Sequence, residues 1–330
     1  MKRLLMPIAL LILFSCLNDS KKTELPDEIN EVKVNSIFKH SGKDRIYNYY
    51  IPKNFNKNSP AIFVFHAWGG TSLGTMNFMN DVHNFHELAD KFGYLLVYPE
   101  GLPNEVDHLL YNTNPKDNGN WWCTDPSGEI CSNDDVGFSK ELAKYFIKKY
   151  DLDASRIYAT GYSNGGVATW AVNQKANEIF KGAAAFGAIN TSSMGIGFPS
   201  KNAFPILMFD GLLDPFALQE GTNKPPAVMK KIWLPEHANT AILPYTRKQV
   251  FEYYANLSNC LQPEIIKINN INTLTKYSNC DNNIQLWRYE VQDYGHLVPA
   301  LIPPSDKKQF SNRAGIDMGE VIFDFFTELN

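Results

Sequence analysis

Gly161-Tyr162-Ser163-Asn164-Gly165, followed by Gly166, sets a serine at the centre of a G-x-S-x-G. A serine hydroxyl is a weak nucleophile at neutral pH. It becomes a strong one when a histidine takes its proton and an acid fixes the tautomer of that histidine. The five-residue pattern alone is weak, and a glycine-rich turn that merely packs is the plain alternative. Its surroundings give it weight: the string RIYAT leads straight in, and a helical pattern begins straight after. A strand, a tight turn and a helix in that order make a nucleophile elbow. Flanking glycines let strand and helix crowd together, which exposes the hydroxyl of Ser163 and turns the backbone N–H of Asn164 toward the reacting oxygen.

For such a turn the chain order is serine, then acid, then histidine. Two histidines follow Ser163. His296 lies in DYGH, just after an apolar strand pattern, whereas His237 lies in the polar, irregular PEHAN. His296 is therefore the expected base. The apolar string PILMF ends at Phe209 and is followed by Asp210 and Asp214. Asp214 lies far enough past the strand to reach across to a histidine, with Asp210 as second candidate and Asp293 as a turn residue.

Three loops must meet at one edge of a scaffold for this to work. Residues 32–39 and 45–51 predict two strands joined by a turn at 41–44. AIFVF at 61–65 is apolar throughout, as in a strand buried on both faces. Over 78–92, Phe78, Val82, Phe85, Leu88, Ala89 and Phe92 fall on one side of a helix. Residues 94–98 predict a strand ended by Pro99, and 136–150 a helix that begins after Asp134 and Asp135, whose carboxylates can cap free N–H groups. Strands follow at 156–160, 182–186, 205–209 and 285–291, and helices at 165–174, 246–257 and 318–329. This alternation implies a mainly parallel sheet with helices on both faces, in one domain over 32–330. The irregular stretches 102–134 and 211–244 predict loops that build a binding site over the sheet.

Composition agrees with a globular chain. Of 330 residues, 44% are hydrophobic and 20% charged, which excludes a disordered protein. Thirty-one Lys and Arg against 35 Asp and Glu, a formal charge of −4, leave no cationic surplus for nucleic acid. At the start, Lys2 and Arg3 precede an apolar run over 4–14 that has about half of the ~20 residues a spanning helix needs. With Ser15 after it, this predicts an export signal over 1–15. Cys16, in LFSC, resembles the lipidated cysteine of bacterial lipoproteins. That resemblance implies a lipid anchor at Cys16, a tether over 16–31, and an exported, membrane-attached protein of the cell envelope. Four cysteines remain, and an even set in an exported chain suggests disulfides, with three possible pairings. Proximity favours Cys123–Cys131 and Cys260–Cys280.

YDLDASRIYATGYSNGG, with DDVGF before it and YPEG after the strand at 94–98, resembles the secreted esterases that include poly(3-hydroxybutyrate) depolymerases and feruloyl or acetylxylan esterases. The resemblance implies an α/β-hydrolase fold and a Ser-Asp-His triad. Its nucleophile falls on Ser163, its H-G-x-x-D acid on Asp214 within FDGLLD, and its G-G-H-x-W-P base on His296 within YGHLVP. Cys260 and Cys280 stand where such enzymes often carry a disulfide. Departures are visible as well. His66 is followed by Ala67 and Trp68 where the family has His-Gly, so the second oxyanion donor falls on the backbone N–H of Trp68, with Ala67 restricting φ there. Asp210 replaces the histidine of the acid pattern, and Leu297-Val298-Pro299 replaces the aromatic-containing end of the base pattern.

The reading is a serine esterase acting through an acyl-enzyme on carbohydrate-linked feruloyl or acetyl esters or on 3-hydroxyalkanoate esters. It needs no cofactor or metal and is expected to act as a monomer. A peptidase or lactone hydrolase on the same turn, and a surface-anchored binding protein without turnover, are the alternatives. Trp121, Trp122 and Trp233 are candidate substrate contacts, with core packing as the other role for the Trp121–Trp122 pair. His83 and His86 are expected in a helix surface or packing role, and Glu129, Asp134 and Asp135 in capping or solvated loops.

Overall fold

Helices cover both faces of a sheet whose middle strands are buried at nearly every position. The computed structural model describes residues 29–103, 119–124, 132–188, 200–215, 246–300 and 310–329. A hairpin opens it: β1 (Glu31–His40) and β2 (Lys43–Ile51) pair antiparallel across Ser41 and Gly42, both at positive φ (49° and 76°). A two-residue turn of this kind matches the twist of the strands it joins. Then come β3 (Ala61–Phe65), α1 (Ser72–His83), α2 (Phe85–Phe92) and β4 (Leu95–Pro99), with the short pair β5 (Leu102–Pro103) and β6 (Asn120–Trp121) outside the main sheet. The alternation continues through α3 (Asp135–Tyr150), β7 (Ile157–Tyr162), α4 (Asn164–Lys175), β8 (Ala183–Phe186) and β9 (Ile206–Gly211). After α5 (Arg247–Leu257) come β10 (Glu264–Lys267), β11 (Asn272–Tyr277), β12 (Leu286–Val291), the pair β13 (Val298–Pro299) and β14 (Phe310–Ser311), and α6 (Met318–Glu328).

Among the described residues the main sheet has ten strands in the order β1-β2-β4-β3-β7-β8-β9-β12-β11-β10. From β4 to β12 the neighbours run parallel, and antiparallel strands flank that block on both sides. On one face α1, α2 and α6 bring Met76, Met79, Phe85, Phe323 and Phe326 against Ile62, Val64 and Leu96. On the other, Phe138, Leu142 and Phe146 of α3 and Ala168 and Val172 of α4 cover Phe63 and Phe65. Further along that face, Val250, Phe251 and Tyr254 of α5 pack with Ala185 and Met208.

Beyond the short strand pairs β5–β6 and β13–β14, the structure departs from the sequence pattern chiefly in the first two helices and the last hairpin. Instead of one helix over 78–92 there are two, broken at Asn84, which holds φ 50° and ψ 38°. Asparagine tolerates this left-handed conformation better than most residues. The break lets α1 bury Met76, Met79 and His83 while α2 turns Phe85 onto Phe323, ring centroids 5.2 Å apart. The hairpin β10–β11 was not expected: EIIK and NTLTKY mix polar and apolar residues on a largely half-exposed edge, and no clean alternation marks them.

Candidate active site

β7 carries the chain into the turn and α4 carries it out. Ser163 stands between them at φ 56° and ψ −120°, a backbone conformation that costs a non-glycine residue on the order of 1–3 kcal/mol. The packing around it enforces that geometry. A Cβ at Gly161 would lie 2.4 Å from the Gly165 carbonyl oxygen, and one at Gly165 would lie 2.2 Å from that of Phe65. Both positions must be glycine for β3, β7 and α4 to close on the serine. The turn also leaves the first N–H groups of α4, beginning at Asn164, without an intrahelical acceptor.

His296 arrives on the loop after β12 and Asp214 on the loop after β9, two neighbouring parallel strands. Ser163 Oγ lies 2.9 Å from His296 Nε2, and Asp214 Oδ2 lies 2.9 Å from His296 Nδ1. A carboxylate only accepts, so Nδ1 carries the ring proton and Nε2 is left to accept from the serine hydroxyl. The two loops are tied together: the Leu213 N–H donates to the Tyr294 carbonyl at 2.8 Å. Asp214 is 1% exposed. Burial pushes its carboxyl up, but the hydrogen bond from His296 and the guanidinium of Arg247 outweigh burial and hold it down to about 2. A hydrogen-bonded line of this kind can take a proton from the serine and return it to a leaving group.

The competing acids have other partners. Asp210 is buried, with one oxygen 3.1 Å from Arg247 Nη1 and the other 2.8 Å from Arg288 Nε. Asp293 is exposed and pairs with Arg313 at 3.0 Å. His237 lies outside the described residues.

Two groups that touch the triad residues have no counterpart among the sequence expectations. Tyr162, the variable residue before the serine, donates its hydroxyl to the His296 carbonyl at 2.7 Å and lays its ring 4.9 Å from the imidazole. Arg247, the first residue of α5, reaches Asp214 Oδ2 at 2.5 Å. Neither has a sequence signal, because each acts through a partner far away in the chain.

The loop after β3 is braced from below. His66 is 1% exposed. The Gly101 N–H donates to its Nε2 at 2.9 Å, so its proton is on Nδ1, which donates to the Ala67 carbonyl at 2.8 Å. Burial, against smaller opposing effects of the Ala67 carbonyl and Glu100, lowers its pKa to about 4, and the ring is neutral. Ala67 raised a difficulty of backbone freedom, but the positive φ of this turn falls on Gly69, at 75°. The Gly69 N–H donates to the Asn120 carbonyl at 2.9 Å. Trp68 exposes 55% of its surface beside this turn.

Trp122 takes the packing role rather than that of a cleft wall, being 1% exposed. Its backbone N–H donates to Asn164 Oδ1 at 2.8 Å and its indole N–H to the His66 carbonyl at 2.9 Å, which joins the elbow to the loop after β3. Trp121 is half-buried in β6, and Trp233 lies outside the described residues. A cavity of about 370 Å³ lies against the same loop, with Ala67, Gly70, Phe78, Met79, Tyr162 and Val298 in its wall.

Other candidates resolve into structural roles. His83 is buried, its Nδ1 2.9 Å from Asp317, and His86 stacks on Tyr50 at 4.0 Å. Asp134 caps α3 by accepting from the Gly137 N–H. Asp135 is a correction: it does not face solvent but pairs, buried, with Arg45 at 2.5 Å and accepts from the Cys123 N–H at 2.6 Å. Glu129 lies outside the described residues, as does Cys16. Cys260 and Cys280 are joined. Cys123 is disulfide-bonded, and Cys131, its expected partner, is again outside the described residues.

Solved structures of known proteins share this fold. An acetyl xylan esterase from Aspergillus awamori superposes with a TM-score of 0.52 over 90% of this chain and 99% of its own, at 14% identity. An S-formylglutathione hydrolase from Agrobacterium tumefaciens gives 0.50 over 89% and 95%, also at 14% identity. The chain has the α/β-hydrolase fold. Within that fold, residues 139–194, which span the elbow, match the prolyl oligopeptidase family. In sequence it is similar to feruloyl esterase B of Neurospora crassa, 30% identical over 147 residues that make up 44% of each chain. A probable acetylxylan esterase A of Aspergillus terreus is 25% identical over 226 residues, 65% of this chain and 62% of that one. Against three feruloyl esterase B relatives the matched stretch spans only 35–44% of their length.

Proposed function

We propose that the protein is a serine carboxylic-ester hydrolase. One observation carries the reading: Asp214, His296 and Ser163 stand in a hydrogen-bonded line with the serine on a strained turn. Ser163 attacks the ester carbonyl as His296 takes its proton, and Asp214 keeps the imidazole in the tautomer that can do so. The backbone N–H groups of Asn164 and Trp68 receive the oxyanion of the tetrahedral intermediate. His296 then protonates the departing alcohol. In the second half it draws a proton from water, which opens the acyl-enzyme and frees the acid.

The names of the similar proteins favour feruloyl or acetyl esters on carbohydrate, and the family resemblance adds 3-hydroxyalkanoate esters. The test is Ser163→Ala, expected to lower kcat by on the order of 10⁶-fold. A fluorophosphonate should label the wild type and leave the variant unlabelled. Turnover retained by a purified variant refutes the assignment. A panel of hydroxycinnamoyl, acetyl-sugar and 3-hydroxybutyrate esters identifies the substrate.

A peptidase is the second reading, favoured by the prolyl oligopeptidase match across the elbow. Hydrolysis of prolyl peptide amides faster than of any ester in the panel would select it. We also propose that the chain is exported and anchored through a lipid at Cys16, with 1–15 as its signal and 16–31 as its tether. The Cys260–Cys280 bond suits an oxidising compartment. Fatty-acid labelling of wild type but not of Cys16→Ala is the expected result, and equal labelling of both refutes the anchor.

A further inference from the structure

β6 and the residue after it bond to both sides of the expected oxyanion hole. Trp122, directly after β6, donates its backbone N–H to Asn164 Oδ1 at 2.8 Å and its indole N–H to the His66 carbonyl at 2.9 Å. Asn164 opens α4 behind Ser163, and His66 opens the loop after β3. Two residues before Trp122, the Asn120 carbonyl accepts from the Gly69 N–H at 2.9 Å. The loop is thus fixed at His66 and at Gly69, and Trp68 stands between those two points.

The seat of this segment leaves little room for movement. The buried Trp122 indole meets Phe65 edge-on, centroids 4.9 Å apart, and lies tilted against His66 at 4.7 Å. A Cβ at Gly119 would come to 2.3 Å from Gly69 Cα, and one at Gly101 to 2.2 Å from the Trp121 carbonyl oxygen. Backbone therefore meets backbone where the segment passes each neighbour. Beyond Trp122, the Cys123 N–H donates at 2.6 Å to the Asp135 carboxylate that Arg45 also holds, which anchors the segment to the start of α3.

We propose that Trp122 and the side chain of Asn164 are positioning residues that set the distance between the two oxyanion donors, the backbone N–H groups of Asn164 and Trp68. This role rests on the esterase reading of the site. An oxyanion hole works because its donors already face the place where negative charge develops, and rate falls steeply when one of them is displaced. Here the donors come from separate parts of the chain. Through Gly165 the elbow packs on the carbonyls of Phe65 and His66, which sets its distance from β3 but leaves the loop beyond His66 to other contacts. Trp122 supplies them, since one residue bonds the side chain of the first donor and the carbonyl that begins the loop of the second. Asn164 thereby has two parts to play. Its backbone N–H serves the reaction whatever the side chain, whereas its amide oxygen serves the strut.

The test compares wild type, Asn164→Ala, Trp122→Phe and the double variant in the full chain, by steady-state hydrolysis of an aryl ester, inhibition by phenylboronic acid and thermal unfolding. The boronic acid forms a tetrahedral anion on the serine oxygen, so its Ki reads the oxyanion hole without turnover. Asn164→Ala keeps the backbone donor and loses the acceptor for Trp122. Trp122→Phe keeps the backbone bond to Asn164 and loses the indole bond to His66. Each is expected to lower kcat on the order of 10- to 100-fold with KM within about threefold of wild type, and to raise the boronate Ki in proportion to the loss of kcat/KM. Because both substitutions break one strut, the double variant should be about as slow as the slower single one.

A role in stability alone would lower Tm and leave kcat and Ki in place. Either single variant, folded and within about twofold of wild type in kcat and Ki, overturns the proposal, and so does a double variant whose losses multiply in full. If Trp122→Phe does not fold, Asn164→Ala decides alone. A wild type that neither hydrolyses esters nor takes a fluorophosphonate refutes the esterase reading instead, before any variant is compared.

Discussion

Tyr162→Phe isolates one hydrogen bond in the site. The ring stays, so its tilted contact with the imidazole, 4.9 Å between centroids, is preserved, and only the hydroxyl that donates to the His296 carbonyl at 2.7 Å is lost. Such a bond is worth about 1–2 kcal/mol when its acceptor is partly buried. If the bond holds the histidine loop in register with Ser163, that energy appears in the barrier and kcat falls about 5- to 30-fold, with KM unchanged. If the bond only stabilises the fold, Tm falls by about 2–4 °C and kcat does not move. Burial, reinforced by the nearby Asp214 carboxylate, pushes the phenol well above its ordinary value, so it remains a donor throughout the neutral range. The substitution should therefore add no new limb to the pH profile. Steady-state kinetics and thermal unfolding on one preparation separate the cases. A kcat within twofold of wild type, together with a lowered Tm, would refute a positioning role for Tyr162.

Gly165→Ala would bring a Cβ to 2.2 Å from the Phe65 carbonyl and 2.7 Å from that of His66. Because both obstacles are backbone, the expected result is a loss of 3 kcal/mol or more, roughly, in urea unfolding, and loss of fluorophosphonate labelling; a stable, labelled variant would show that the elbow has room. His66 predicts a pH dependence. Burial lowers its pKa to about 4 in the fold, against about 6.5 in the unfolded chain, so its contribution is complete above 6.5 and is lost as pH falls toward 4. This amounts to about 3 kcal/mol. Comparing wild type with His66→Gln at pH 7 and pH 4.5 should show a steeper acid loss in wild type, and parallel losses would contradict the neutral assignment. Replacing Cys260 and Cys280 by alanine opens a link across 20 residues and should cost about 3 kcal/mol with kcat unchanged. A fall in kcat would mean that the bond also supports the histidine loop.

What could be read in the sequence is what local backbone geometry demands. Gly161 and Gly165 flank Ser163 because neither site has space for a Cβ, and that requirement is written into adjacent residues. His296 and Asp214 were accessible for a related reason: each follows an apolar strand, and the parallel sheet brings the ends of consecutive strands to one edge. Ala67 shows the limit of local inference. Its restricted φ raised a difficulty that vanishes once the turn places its left-handed residue at Gly69. Asp135 shows a different limit, since a carboxylate at a helix start resembles a solvated cap until Arg45, 90 residues earlier, fills its pocket. The same holds for Tyr162 and Arg247, which act on groups 134 and 33 residues away. Reaction type depends on which atoms can move a proton, and a few short patterns specify them. How the acid of that set is held depends on partners that only the folded sheet assembles, so the contacts of Arg247 with Asp214 and Asp210 became visible in the structure rather than through the G-x-S-x-G.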